Sequence, residues 1–195
     1  FEAGSFSETT TASFSADFYL GTVDGGTTAT NDPVQATYGF QIDLNTSFTG
    51  DDSLDISLDA GNTITGAEGT LSGGEFDGNA TTVGNTSVDD LAVDGVAYTF
   101  PIGDSTTAFV GFDSDGSSLF TTACVYGGPG DMLDDCGNVN AGITSGEAAV
   151  GLSYDFGNGL TAAFGAQTEA GANAGAFTEE SGDSFALNGA YIADN

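Results

Sequence analysis

The sequence predicts an all-β protein, specifically an antiparallel up-and-down β-barrel, and three observations lead to this prediction. Eight segments alternate between apolar and polar residues, as strands with one apolar and one polar face do. The connections between these segments are alternately long and short. No segment is apolar over the roughly 20 residues of a transmembrane helix. We therefore expect residues 1–195 to form a single β domain without a separate second domain.

The clearest part of the pattern is a hairpin predicted between Ala36 and Asn62. Apolar residues occupy alternate positions in 40–44 and again in 54–58. The Thr-Gly-Asp-Asp sequence at 49–52 separates the two runs and is typical of a short turn.

Six further strands are predicted in the same way, and one of them is irregular. The alternation slips by one residue near Asp94 and Gly95, which indicates a β-bulge. Short turns follow the fourth and sixth strands. The predicted strands outside the hairpin are 12–20, 91–100, 106–112, 148–156, 160–167 and 184–192.

The alternation of long and short connections favours a barrel over other all-β folds. Outer-membrane barrels have short periplasmic turns and longer extracellular loops, and closing the sheet removes exposed edges. A β-sandwich of an extracellular assembly is the alternative, because its half-buried strands alternate in the same way. Greek-key links in a sandwich would break the regular order of connection lengths.

The charge of the chain excludes several functions. There is no Lys, Arg or His beside 29 Asp and Glu, so the formal charge is −29. Imidazole acid–base chemistry and phosphate binding by guanidinium groups are therefore absent. Nucleic-acid binding depends on basic residues meeting phosphates, and we exclude it. We expect no enzymatic activity, and we expect cations and small solutes to be the partners.

Four aspartates on the polar side of the predicted strands are candidate pore-lining residues: Asp17, Asp43, Asp55 and Asp59. A ring of carboxylates in a narrow pore raises the local cation concentration and repels anions. The other interpretation is a hydrated acidic face that supports solubility.

Two further sites are predicted in the long stretch after the fifth strand. Asp113 and Asp115 form an Asp-x-Asp-Gly sequence suited to Ca²⁺, although hydration of an acidic loop is the better explanation of it. In an oxidising compartment we expect Cys124 and Cys136 to form a disulfide worth about 3 kcal/mol; the alternative is two free thiols.

Seven aromatic residues on the apolar side are candidates for girdles at the membrane interfaces, or for packing in the core of a sandwich. These are Phe14, Phe18, Phe40, Tyr98, Phe100, Tyr154 and Phe156.

Several segments resemble the cyanobacterial outer-membrane porins, the SomA-like family related to carbohydrate-selective porins. The closest resemblance lies in Tyr38–Asn62, above all in the run Asn-Thr-Ser-Phe-Thr-Gly at 45–50. Phe6–Gly21, Asp94–Gly111 and Gly151–Gln167 are similar to other strands of that family. The resemblance implies a channel for passive diffusion of small solutes, carbohydrates and ions across a cell outer membrane. It also implies a homo-oligomer, and a larger barrel of which these eight strands would be the N-terminal half.

One departure from the family concerns charge, and it leads to a second functional hypothesis. We expect the family to have basic residues where this chain has Asp51, Asp55 and Asp59. The acidic lumen would instead prefer cations. The alternative is an extracellular acidic β-sheet protein, a structural or filament subunit stabilised by Ca²⁺, in which residues 1–20 donate a strand to a neighbour. In either case we interpret the chain as mature, processed or a fragment.

Overall fold

A computed structural model describes residues 9–22, 34–62, 91–122, 143, 146–169 and 175–193. These residues contain eight β-strands, each of which corresponds to a predicted one. The strands are β1 (Thr10–Gly21), β2 (Gln35–Thr46), β3 (Ser53–Gly61), β4 (Ala92–Ile102), β5 (Thr106–Phe112), β6 (Ala148–Asp155), β7 (Leu160–Thr168) and β8 (Asp183–Tyr191).

The eight strands form one antiparallel sheet in which the spatial order is the order along the chain. The prediction of an all-β, up-and-down arrangement is thereby confirmed. The described strands do not divide into the two sheets of a sandwich. They also do not close on themselves, because β1 and β8 are the two edges of the sheet and no pairing joins them. The described part of the chain contains no helix of the length and apolarity needed to span a bilayer.

The predicted bulge lies between β3 and β4. The register shifts between Ser57 and Leu58, which pair with Gly95 and Val93 and leave Asp94 without a partner in the ladder. An extra residue in one strand moves the residues beyond it to the opposite face. The slip in the sequence pattern is therefore the direct consequence of this bulge.

The apolar face of the sheet is exposed, which is the reverse of a water-soluble sheet. Phe14 and Phe18 are 74% and 80% exposed, and Leu187 on the last strand is 82% exposed. The buried hydrophobic residues among those described are small, with one exception. They are Ala60, Ala108, Phe109, Ala149, Ala163 and Ala166.

The strands are staggered, so that successive short turns are displaced along the strand direction. Leu54, next to the β2–β3 turn, pairs with Tyr98 on β4. Tyr98 pairs with Val110 on β5, and Val110 pairs with Val150 on β6. Leu54 and Val150 therefore lie at the same height along the strand direction. Strand β6 continues five residues further, from Val150 to Asp155. Across the four strand spacings between the two turns, this stagger amounts to about 16 Å along the strands and about 19 Å across them. If the two turns lie at one level, the strands tilt by roughly 40°.

Hydrogen bonds to one carboxylate hold the β2–β3 turn. Asp52 Oδ1 accepts from the Ser47 hydroxyl at 2.8 Å and from the N–H groups of Phe48 and Thr49 at 3.0 and 2.7 Å. Its Oδ2 accepts from the Tyr98 hydroxyl at 2.6 Å, which ties the turn to β4. Tyr98 above all, and then the Thr49 N–H, hold the pKa of Asp52 well below its usual range, because these donors favour the ionised form.

Replacing this carboxylate should destabilise the sheet. We expect Asp52→Asn to lower the midpoint of thermal unfolding, measured by circular dichroism, by several degrees. The donors around Asp52 bind two carboxylate oxygens, whereas the amide of Asn has a single oxygen that can accept them. Asp51→Asn removes the same charge from an exposed position in the same turn and should leave the midpoint almost unchanged. Equal shifts in the two variants would contradict the role assigned to Asp52.

The stabilisation by Asp52 should also depend on pH. Its pKa in the folded state lies below the unfolded value of about 3.9. The contribution is therefore fully present above that value and is lost as the pH falls through the folded pKa. In a titration of unfolding midpoints from pH 7 to pH 2, the parent chain should lose more stability in the acid range than Asp52→Asn does. Parallel titration curves would contradict this prediction.

Candidate functional site

The four aspartates predicted to line a pore lie on one face of strands β1 to β3. Residues that pair across strands share a face, and so do residues two apart along a strand. Asp59 is the most buried of the four, at 9% exposure. The registers pair Asp17 with Gly39, Asp59 with Gln41, Asp43 with Ser57 and Asp55 with Asn45. The structure thus brings the four together on the polar face, and their role in a pore stays a prediction.

Neutral donors orient these carboxylates without cancelling their charge. Asp43 Oδ1 accepts from Gln41 Nε2 at 2.6 Å and from the Ser57 hydroxyl at 2.8 Å. Asp55 Oδ1 accepts from Asn45 Nδ2 at 2.6 Å. No ion pair with a side chain is available, because the sequence has no Lys, Arg or His. The polar face of β1 to β3 is therefore a surface of negative charge that needs water or mobile cations beside it.

On strands β4 to β8 the same face has mostly small side chains, which leaves space above the sheet. We call this set the small-residue lane. The registers connect its members from strand to strand. They are Gly95, Ala97, Gly111, Ala149, Gly151, Ala163, Gly165 and Ala186.

Residues 113–122, which follow β5, fold back over this lane, and we call them the covering segment. The Gly116 N–H donates to Gln167 Oε1 at 3.0 Å. The Thr121 N–H donates to Asn188 Oδ1 at 3.1 Å, and Asn188 Nδ2 donates to the Thr121 carbonyl at 3.2 Å. The segment is therefore fixed to β7 near its start and to β8 near its end.

Close contact between the covering segment and the sheet requires glycine at three positions of the lane. A Cβ atom at Gly95 would lie 2.9 Å from the carbonyl oxygen of Asp113. A Cβ atom at Gly165 would lie 1.9 Å from the carbonyl oxygen of Gly116, which is far inside contact distance. A Cβ atom at Gly111 would lie 2.7 Å from the Cβ of Ser114. The lane thus accepts the backbone of the covering segment because side chains are missing there.

An open cavity of about 390 Å³ lies where the covering segment meets β3 and β4. Its wall includes Asp55 from β3, Asp94 from the bulge, and Asp113 and Asp115 from the covering segment. Hydroxyl groups of Ser57, Ser114 and Ser118 complete the polar lining. Four carboxylates around one cavity create a negative potential that favours cations over anions.

The described residues decide neither the Ca²⁺ prediction nor the disulfide prediction. Asp113 has a left-handed backbone, with φ of 47°, where the chain leaves β5. Within the described ranges, no group of three or more Asp, Glu, His or Cys residues is arranged to hold a metal ion. Ca²⁺ binding at Asp113 and Asp115 stays a prediction. Cys124 and Cys136 lie outside the described residues, so their pairing also stays a prediction.

Sequence reasoning missed the parts of this site that depend on contacts between distant segments. It did not identify Asp94 as a lining residue, although the slip in alternation marked its position. It did not identify the small-residue lane either. The available signal was the recurrence of Gly at polar positions of neighbouring strands, as at Gly111, Gly151 and Gly165.

Comparison of the chain with protein-family models, with curated proteins and with solved structures found no match. The resemblance to cyanobacterial porins therefore depends on the segments quoted above.

Adding one methyl group to the lane should loosen the covering segment. We expect Gly165→Ala to push Gly116 away from the sheet, because overpacking by one carbon typically costs about 1–3 kcal/mol. The amide of Gly116 should then exchange with deuterium roughly tenfold faster or more, measured by NMR or mass spectrometry. Gly189→Ala is the matched control, since nothing lies within 4 Å of the added atom. Unchanged exchange in Gly165→Ala would contradict the packing described here.

Proposed function

We propose that the chain forms the wall of an outer-membrane channel of the porin type, through which small solutes and ions diffuse passively with a preference for cations. One observation carries the proposal: the sheet exposes its large apolar side chains and directs its carboxylates and the covering segment to the other side. In water this arrangement would be unfavourable. In a barrel that spans a bilayer, the apolar face contacts lipid and the polar face lines the water-filled interior.

The stagger of the strands supports a barrel. Closing a sheet requires strands that tilt relative to the barrel axis, typically by about 35–45°. The tilt of roughly 40° that we obtain from the positions of the short turns falls in this range. In a sheet without stagger, all the short turns would lie at the same height along the strands, and the same calculation would give no tilt.

The aromatic residues of the apolar face support the same orientation. Membrane barrels have aromatic girdles at both interfaces, where rings contact both headgroups and hydrocarbon. Ring pairs near the short turns are Phe48 with Tyr98, Tyr98 with Phe100, and Tyr154 with Phe156. Ring pairs toward the long connections are Phe18 with Tyr38, and Phe177 with Phe185.

The preference for cations follows from the charges that face the interior. Asp17, Asp43, Asp55 and Asp59 provide negative charge along β1 to β3. The covering segment adds Asp113, which lines the same cavity as Asp55. In a water-filled pore with low-dielectric walls, such charges raise the local concentration of cations and repel anions. The covering segment reduces the open cross-section on the side of β5 to β8.

Ion selectivity tests this proposal. In planar bilayers under a KCl gradient, the chain should give discrete conductance steps with a reversal potential that shows cation preference. Asp55→Asn combined with Asp59→Asn should lower the ratio of K⁺ to Cl⁻ permeability by roughly twofold or more, because it removes two charges from the lining.

The control removes the same charge from outside the strands. Asp51→Asn combined with Asp104→Asn changes two exposed residues of the short turns and should alter the ratio much less. Folded protein that stays in solution without detergent and gives no conductance steps would contradict the channel and would favour the extracellular structural subunit.

A further inference from the structure

We propose that Asn188 is a positioning residue that limits the size of the solutes passing through the channel, because its side chain holds the covering segment against β8. This inference rests on the proposed channel function and adds to it the contact that sets the width of the passage. It starts from the observation that the covering segment occupies space on the polar face of the sheet, where the passage would lie.

The covering segment runs along the polar face of β7. Gly116 lies against Gly165, near the end of β7 that leads to the long connection. Thr121 Oγ1 lies 3.2 Å from the hydroxyl oxygen of Thr161, which is the second residue of β7. Four residues of a strand, the separation between these two contacts, span about 13 Å. The segment therefore covers much of the length of a strand that would form the channel wall.

Apolar side chains hold the middle of the covering segment on the sheet. A Cβ atom at Gly151 would lie 3.7 Å from Leu119 and 3.0 Å from Phe109, and one at Gly165 would lie 3.3 Å from Phe120. Phe109, which belongs to the polar face of β5, is only 3% exposed. The segment thus excludes water from this part of the polar face, and a solute would have to pass beside it.

Asn188 fixes the end of the covering segment through two hydrogen bonds to a single residue. Its Oδ1 accepts from the Thr121 N–H at 3.1 Å, and its Nδ2 donates to the Thr121 carbonyl at 3.2 Å. A carboxamide carries an acceptor and a donor side by side, so this side chain binds both backbone groups of Thr121 at once. The pair of bonds specifies the position and the orientation of the segment at this point.

The surroundings of Asn188 cannot replace these bonds. The residues two positions away on the same face of β8 are Ala186 and Ala190, and the residue paired with Asn188 on β7 is Ala163. Their methyl groups form no hydrogen bonds. An ion pair cannot hold the segment either, because the chain has no Lys, Arg or His. The position of the segment beside β8 therefore depends on the carboxamide of Asn188.

Channel measurements in planar bilayers test this role. Single-channel conductance and the size limit for polyethylene glycols of graded length are measured for the parent chain and for Asn188→Ala. We expect the variant to raise the conductance by roughly one third or more and to admit longer polymers, because passage follows the pore diameter. Asn158→Ala is the matched control. The Asn158 side chain accepts from the Leu160 N–H in the β6–β7 turn, and its loss should leave both quantities unchanged.

Amide exchange connects the change in passage to the hydrogen bonds at Thr121. In Asn188→Ala the Thr121 amide should exchange with deuterium roughly tenfold faster or more. The amides of Glu169 and Ile192, whose bonds join β7 and β8 at their two ends, should keep their protection. If Asn188→Ala does not fold, Asn188→Asp tests the same contact, because it keeps the acceptor for the Thr121 N–H and lacks the donor for the carbonyl. Its Thr121 amide should also exchange faster than that of the parent chain, and its passage should also widen.

The remaining outcomes separate this inference from the proposed function. Parent channels that conduct, together with unchanged conductance and size limit in the folded Asn188 variant, would overturn the role of Asn188 and leave the channel intact. Faster exchange at Thr121 without a wider passage would do the same, because Asn188 would then hold the segment without limiting the solutes. Absence of conductance steps from the folded parent chain would overturn the channel function itself.

Discussion

Carboxylates without basic partners are the constraint on which the rest of this structure depends. The chain has 29 acidic residues and no Lys, Arg or His, so no described carboxylate is neutralised by a side-chain cation. Hydroxyl and amide donors, as at Asp43, orient the charge and do not remove it. The acidic face therefore keeps its charge, while the opposite face of the sheet carries the large exposed apolar side chains. The exposure of Phe14, Phe18 and Leu187 is the other half of the same constraint.

The covering segment shows how one face of a sheet serves two purposes. Along β1 to β3 the polar face has acidic and hydroxyl side chains. Along β4 to β8 it has small residues, and the chain itself occupies the space they leave. The contact of Gly116 with Gly165 is so close that a single methyl group would not fit. The asymmetry of the polar face thus arises from the distribution of glycine among the strands.

Contacts at the end of the sheet that carries the short turns also fix the position of the strands. Asp52 is held by donors in its own turn and by the Tyr98 hydroxyl, so the turn and β4 are fixed in register. Tyr98 in turn stacks on Phe100 and lies 6.1 Å from the ring of Phe48. A buried carboxylate and an exposed aromatic group therefore meet at one point. This combination suits the boundary between water and hydrocarbon, where a ring can contact both.

The sequence by itself determined the strands and the bulge near Asp94, because alternation, turns and phase are properties of neighbouring residues. The alternation of long and short connections favoured the up-and-down order, which the pairing of the strands then established. The sequence also determined that Asp17, Asp43, Asp55 and Asp59 lie on the polar side of their own strands, because each alternates with apolar neighbours. The registers between β1, β2 and β3 then bring these polar sides together in one face. Only the tertiary structure decided the rest. The path of the covering segment depends on the contact between Gly116 and Gly165. The attachment of the β2–β3 turn to β4 depends on the hydrogen bond between Tyr98 and Asp52. Such contacts form between residues nearly fifty positions apart, and their geometry depends on register and stagger, which no local pattern records.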